Sequence, residues 1–281
     1  MLKVSPDWTS IIGFTDNAAH NNTDFIPWFL QQMAAHDKAT GSRLLDFLDI
    51  HFYYQADTSA NDAAAKALRL RQTRALWDPT YVDESWVGTS VPQNHQPNAT
   101  IIQVIPRMQK LIQQFYPGTK LSISEWNSQG DGDITGGLGT ADALGIFGRF
   151  GVDSATYWSD PDETSATALA YWLFRGYEVY SLLCVAAHVD ENCSYGVKFG
   201  NLSLQVNVTN FDPNVLGVYA STSSNNKVSL VVINKDASNP VALNVSGLPT
   251  GKYTLRHFGG QAGVAKWQVR ASSFKGRPMT R

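Results

Sequence analysis

Lys120-Leu121-Ser122-Ile123-Ser124-Glu125-Trp126-Asn127 decides how this chain is read. It alternates like a strand and ends in a carboxylate, an aromatic ring and an amide, and a Gly-rich stretch, Gly130 to Gly139, follows. A carboxylate at the C-terminal end of a strand, where a loop opens, is the usual place for the catalytic group of an α/β barrel enzyme. The plainer reading of Glu125 is a strand-end carboxylate facing water.

Outward from this strand the pattern is strand–helix alternation. Asp24 to Gly41 reads as a helix with Asp24 as cap, Gly41 as stop and a stripe of Phe25, Trp28, Phe29, Gln32 and Met33. Leu44–Tyr54 reads as a largely apolar strand carrying Asp49 and His51 near its end. Asn61 to Trp77 is an Ala-rich helix with arginines on its exposed face. Residues 78–99 are polar and irregular, and Ile101 to Tyr116 is a helix stopped by Pro117-Gly118. After Glu125 come the glycine loop, a helix from about Thr140 to Phe150, a strand at Ala155–Trp158, and a helix from about Thr167 to Leu183. Three strands with crossovers this long predict an α/β fold with parallel pairing.

The pattern changes near residue 195. Leu202–Val208, Val215–Ser221, Val228–Asn234, Val241–Val245 and Tyr253–His257 are short alternating runs separated by turn residues. They predict an antiparallel sheet or small sandwich. Residues 1–195 and 196–281 are therefore expected to form two domains, the last segment, Gln268 to Arg281, being basic.

Composition narrows the partners. The chain has 281 residues, 43% hydrophobic and 16% charged, with a net charge of -2. No Lys/Arg-rich run and no apolar stretch of membrane-spanning length is present, so nucleic acid and membranes are poor partners. The first residues carry no signal-peptide core. Six Asn-x-Ser/Thr acceptors (Asn21, Asn98, Asn192, Asn201, Asn207, Asn244) nevertheless lean toward a secreted glycoprotein. The only cysteines, Cys184 and Cys193, fit a small disulfide loop or two free thiols equally well.

Five segments in order resemble glycoside hydrolase family 44, the endoglucanases and xyloglucanases. They are Arg43 to Tyr54, Leu76 to Tyr81 with Asp83-Glu84-Ser85-Trp86, Tyr116 to Lys120, Ile123 to Asn127, and Ala141 to Arg149. The resemblance covers about residues 20–235. It implies the C-terminal part of a TIM-like (β/α)8 barrel followed by an antiparallel β-sandwich. It also implies retaining hydrolysis of internal β-1,4-glucosidic bonds in an extracellular β-glucan, with no cofactor for the chemistry and any structural calcium left open. Glu125 matches the nucleophile.

Three departures stand out. Trp126 follows the nucleophile where the family usually has Tyr, and Gln55 follows Tyr54 where it usually has Pro. The family's acid/base glutamate lies in an Asn-Glu-Pro segment that does not occur here. By resemblance the chain therefore begins past the middle of the barrel, as an N-terminally truncated member with crippled catalysis. The alternative is a non-catalytic carbohydrate-binding remnant or a truncated gene product.

His51 is expected either to sit satisfied in the core or to point into the cleft toward a sugar or Glu125. Tyr53 either donates to Glu125, borders a subsite or simply packs. Trp158, ending the last parallel strand, is expected to floor a subsite. Trp126 is expected near the substrate through its backbone, its ring facing either toward the cleft or away from it. Glu84 lies in a loop and is not expected to replace the missing acid. The glycine stretch lacks the Lys-Ser/Thr of a phosphate loop, and Asp131 with Asp133 is a weak cation site; no metal is expected.

Overall fold

The computed structural model of the chain describes residues 20–21, 23–90, 100–175, 177–178, 194–195, 199–224, 227–241, 245–248, 255–258 and 264–267. Cys184, Cys193, Asn98, Asn192, Asn244, residues 176 and 179–183 of the expected helix to Leu183, and the basic tail lie outside them; that helix ends at Arg175, and Tyr177–Glu178 form a strand instead.

Two compact units divide the chain: residues 1–130 with 142–160, and residues 131–141 with 161–281. The first holds the three expected parallel strands, β1 (Phe47–His51), β2 (Lys120–Trp126) and β3 (Ser154–Tyr157), hydrogen-bonded in that order. Around them lie α1 (Phe25–Thr40), α2 (Ala63–Arg71) running into a 3₁₀ turn at Gln72–Leu76, the short α3 (Trp86–Ser90), and α4 (Val104–Phe115). Leu48, Ile50, Ile123, Ile105, Met108 and Ile146 form the apolar core.

Several local expectations need correction. Asp24 stands at the N-cap of α1 but makes no capping hydrogen bond, whereas Gly41 ends the helix with φ 72° and bonds Asp37 O at 2.7 Å. The buried face of α1 is Ile26 and Leu30, one residue round from the expected stripe, and Gln32 is exposed. On α2, capped by the Asp62 carboxylate on the Ala65 amide, Arg69 is buried rather than exposed. Its guanidinium donates to Asn61 Oδ1 and Thr58 O. Gly130, at φ 66°, lies so close that a Cβ would fall 2.4 Å from Arg69 Cζ.

The expected glycine loop is mostly helix. α5 (Ile134–Phe150) starts in the second unit and ends in the first. Within the second unit Asp133 caps it through the Thr135 amide. A Cβ on Gly137 would lie 2.5 Å from Ala166 O, so close backbone approach overrides glycine's poor helix propensity.

The second unit continues through α6 (Ala166–Arg175) and the two-residue strands β4 (Tyr177–Glu178) and β5 (Ser194–Tyr195). β6 (Leu202–Leu204), β7 (Leu216–Thr222) and β8 (Val228–Asn234) form an antiparallel sheet, and β9 (Leu255–Phe258) pairs with β10 (Val264–Trp267). β6 is shorter than expected. Val241 and Val245 are not in a strand, and residues 242–244 and Tyr253 lie outside the described set. The fold is thus mixed α/β, with parallel and antiparallel parts. Among the described residues no helix is long and apolar enough to cross a membrane.

Candidate active site

The site grows from an irregularity in the central strand. β1 and β2 pair residue for residue from Phe47↔Lys120 to Ile50↔Ile123, and then His51 pairs with Glu125. On the other side Ile123 pairs with Ala155 and Trp126 with Tyr157, three residues against two. Both neighbours therefore register one extra residue in β2, a β-bulge. Without it Glu125 would alternate onto the same face as buried Ile123, and Trp126 onto the opposite face. With it Glu125 shares the face of Asp49 and His51, and Trp126 turns into the core.

Glu125 receives its neighbours on one oxygen. The Tyr53 hydroxyl donates to Oε2 at 3.0 Å, and His51 Nδ1 lies 3.0 Å from the same atom. Among the described residues Oε1 takes no hydrogen bond, and the side chain keeps 14% exposure. His51 and Tyr53 reach it together because residues two apart in extended chain share a face. Burial, then the hydrogen bond and charge of Glu125, push the Tyr53 hydroxyl up to about 12, so it stays a donor through the neutral range. Removing only that donor, in Tyr53→Phe, is expected to lower turnover about 10-fold with the fold unchanged, checked by kcat and thermal melting.

The strand ends are laced together behind the carboxylate. The Phe52 amide donates to Glu125 O at 2.9 Å, and the Trp158 amide to Trp126 O at 2.8 Å. Asn127 Nδ2 reaches Trp158 O, and Asn127 Oδ1 receives the Gln129 amide. Gln129 Nε2 reaches Tyr54 O and Ala56 O, each at 3.2 Å, while the Thr58 hydroxyl donates to Gln129 Oε1. Nothing in the sequence singled Gln129 out; its left-handed φ of 62° is visible only in the folded chain.

The aromatic residues separate cleanly. Trp126 does not border the open face, contrary to expectation: it is 2% exposed, edge-on to Phe147 at 4.8 Å and to Tyr157 at 5.0 Å. Trp158 is 56% exposed at the end of β3. Trp86, missed as a candidate, is 39% exposed. Its Nε1 donates to Gln55 Oε1 at 3.3 Å, and Gln55 Nε2 donates to Tyr53 O at 2.7 Å.

Glu84 is engaged elsewhere. Arg71 grips both its oxygens at 2.7 Å and the Tyr81 hydroxyl donates at 3.1 Å. The Arg71 hydrogen bonds hold its carboxyl below the usual range, the wrong direction for a proton donor. In the second unit, Asp133 accepts from the Thr135 amide and hydroxyl, and Asp131 accepts from Thr167. Among the described residues no group of three or more His, Cys, Asp or Glu side chains is placed to hold a metal.

The sequence profile of glycoside hydrolase family 44 matches residues 4–56. Endoglucanase A of Paenibacillus lautus is 36% identical over 250 residues, 85% of this chain. The crystal structure of CelM2, a bifunctional glucanase-xylanase from a metagenome library, superposes with a TM-score of 0.66 at 32% identity over 83% of this chain. This chain belongs to glycoside hydrolase family 44. A family 44 xyloglucanase from Paenibacillus polymyxa gives a TM-score of 0.64 at 29% identity over 84% of this chain. The chain spans 31% of the Paenibacillus lautus enzyme, 40% of CelM2 and 42% of the xyloglucanase. Family 44 hydrolases need no cofactor for their chemistry.

Proposed function

We propose that these residues carry the nucleophile half of a retaining β-1,4-glucan hydrolase site. The observation that carries the reading is Glu125 itself: it lies at the C-terminal end of the central parallel strand, with Oε2 held by Tyr53 beside His51 and Oε1 taking no hydrogen bond among the described residues. In the first step Oε1 attacks the anomeric carbon, and the bond to the leaving oxygen breaks. Water then displaces Glu125 from the glycosyl-enzyme. The two contacts at Oε2 keep the carboxylate aimed as charge leaves it.

Trp158, exposed beside Glu125's strand, offers an apolar ring face to a sugar, and His51 and Tyr53 border the reacting residue. Trp158→Ala is expected to raise KM about 5- to 10-fold and leave the melting temperature unchanged, as loss of one stacking face requires. A glucan substrate is supported by the relatives, whose names span endoglucanase, glucanase-xylanase and xyloglucanase.

In this reading residues 1–195 belong to part of a (β/α)8 barrel and residues 196–281 to a β-sandwich. The sequence has no Asn-Glu-Pro segment to supply the family's acid/base, and Glu84 is held by Arg71 and Tyr81, which leaves hydrolysis slow wherever the leaving group needs a proton. Secretion fits the exposed sequons Asn21, Asn201 and Asn207.

The test compares carboxymethylcellulose with an aryl β-cellobioside whose phenolate leaves unaided. Turnover of the aryl substrate, with cellulose slower by about 10²–10⁴-fold, supports the reading. A folded chain inert toward both leaves a carbohydrate-binding remnant.

A further inference from the structure

Asp49 is assigned no role by the glycosidase reading, yet it holds the irregularity on which that reading depends. Ser124 has no cross-strand partner on β1, because the register passes from Ile50↔Ile123 to His51↔Glu125. A bulge leaves such a residue's polar groups without their ladder partners, and a chain must satisfy them some other way. Here Asp49 Oδ1 accepts the Ser124 amide at 3.1 Å, and Asp49 Oδ2 accepts the Ser124 hydroxyl. One carboxylate therefore takes both donors of the extra residue. It comes from the residue two before His51 and from the same face of β1.

The alternative register has a definite cost and a definite consequence. If Ser124 paired in the ladder, the bulge would vanish and Glu125 would swing to the face of Leu48 and Ile50, away from His51 and Tyr53. We infer that Asp49 is a positioning residue for the proposed nucleophile: by capping Ser124 it locks the bulge that turns Glu125 toward the open face. This rests on the reading of Glu125 as nucleophile. Asp49 acts through Ser124 and touches no reacting atom.

The experiment uses the 281-residue chain with aryl β-cellobioside and compares wild type, Asp49→Ala and Asp49→Asn. Asp49→Ala is expected to lose about 10- to 100-fold in kcat with KM within about twofold, since misplacing a reacting group by about 1 Å costs on that order. Asp49→Asn keeps the oxygen that accepts the Ser124 amide and should recover to within about threefold of wild type. A surface or purely structural role would give neither the kcat-only loss nor the rescue. Wild-type kcat in Asp49→Ala, or an Asn variant as slow as the Ala variant, overturns the assignment. A crystal structure of Asp49→Ala reads the bulge without any turnover. Glu125 displaced from Tyr53 supports the role, and Glu125 still bonded to Tyr53 overturns it. An inactive wild-type chain sinks the glycosidase reading alone, because that structure still decides what Asp49 does.

Discussion

Glu125→Gln is expected to abolish release of the aryl group from an aryl β-cellobioside, a loss on the order of 10⁴-fold or more. Glutamine has the shape of glutamate and keeps an oxygen for the Tyr53 hydroxyl, so the bulge and the contacts around it survive. What disappears is the anionic oxygen that attacks carbon, and an amide does not replace it. Good leaving groups do not rescue this variant, because the missing partner acts on the other side of the breaking bond. A small anion should. In Glu125→Ala, azide can enter the vacated space, form the carbon–nitrogen bond and expel the phenolate. The product should be an α-glycosyl azide, inverted relative to the β-substrate. Turnover that persists in Glu125→Gln, with the same melting temperature as wild type, would place the chemistry on another residue.

Trp126→Ala is expected to be the most damaging single change to stability. The indole is 2% exposed, and edges of two rings, Phe147 and Tyr157, meet it at 4.8 and 5.0 Å. Emptying such a site costs about 3–5 kcal/mol in lost transfer energy and cavity formation. For a chain of this size that lowers the melting temperature by roughly 10 °C. Thermal denaturation checks it, with Trp158→Ala as the paired control. A Trp126→Ala protein that melts like wild type but binds substrate poorly would return the indole to the cleft, one of the two facings the sequence left open.

The two tryptophans show where the sequence stops being informative. The three parallel strands were legible because each is a short apolar run closed by polar or turn residues, and Val228–Asn234 was legible from the same alternation. For His51 and Tyr53 the sequence left packing and contact with Glu125 both open, the contact being what the barrel resemblance implied, and the folded chain decides for contact. The facing of Trp126 was not, since a one-residue bulge inverts every later side chain while leaving composition and apparent period intact. Arg69 was misplaced for a related reason. A charged residue on a helix is read as solvent-facing until a carbonyl and an amide oxygen are found holding it inside. Gly136, Gly137 and Gly139 spelled a loop, and only the backbone of Ala166 against Gly137 explains a helix there.

The extra residue in the central strand also changes what kind of alteration this protein tolerates. Orientation here is set by the count of residues together with the Asp49 carboxylate that holds the extra one out of the ladder. Between Ile123 and Trp126 the spacing of two residues places a carboxylate outward and an indole inward, and many side chains at Ser124 would preserve that parity. Gaining one further codon in this interval exchanges the two, whereas losing the Ser124 codon leaves a regular ladder in which Glu125 still pairs with His51 and Trp126 still turns inward. For variant libraries built on this chain, an insertion between Ile123 and Trp126 is the alteration to exclude.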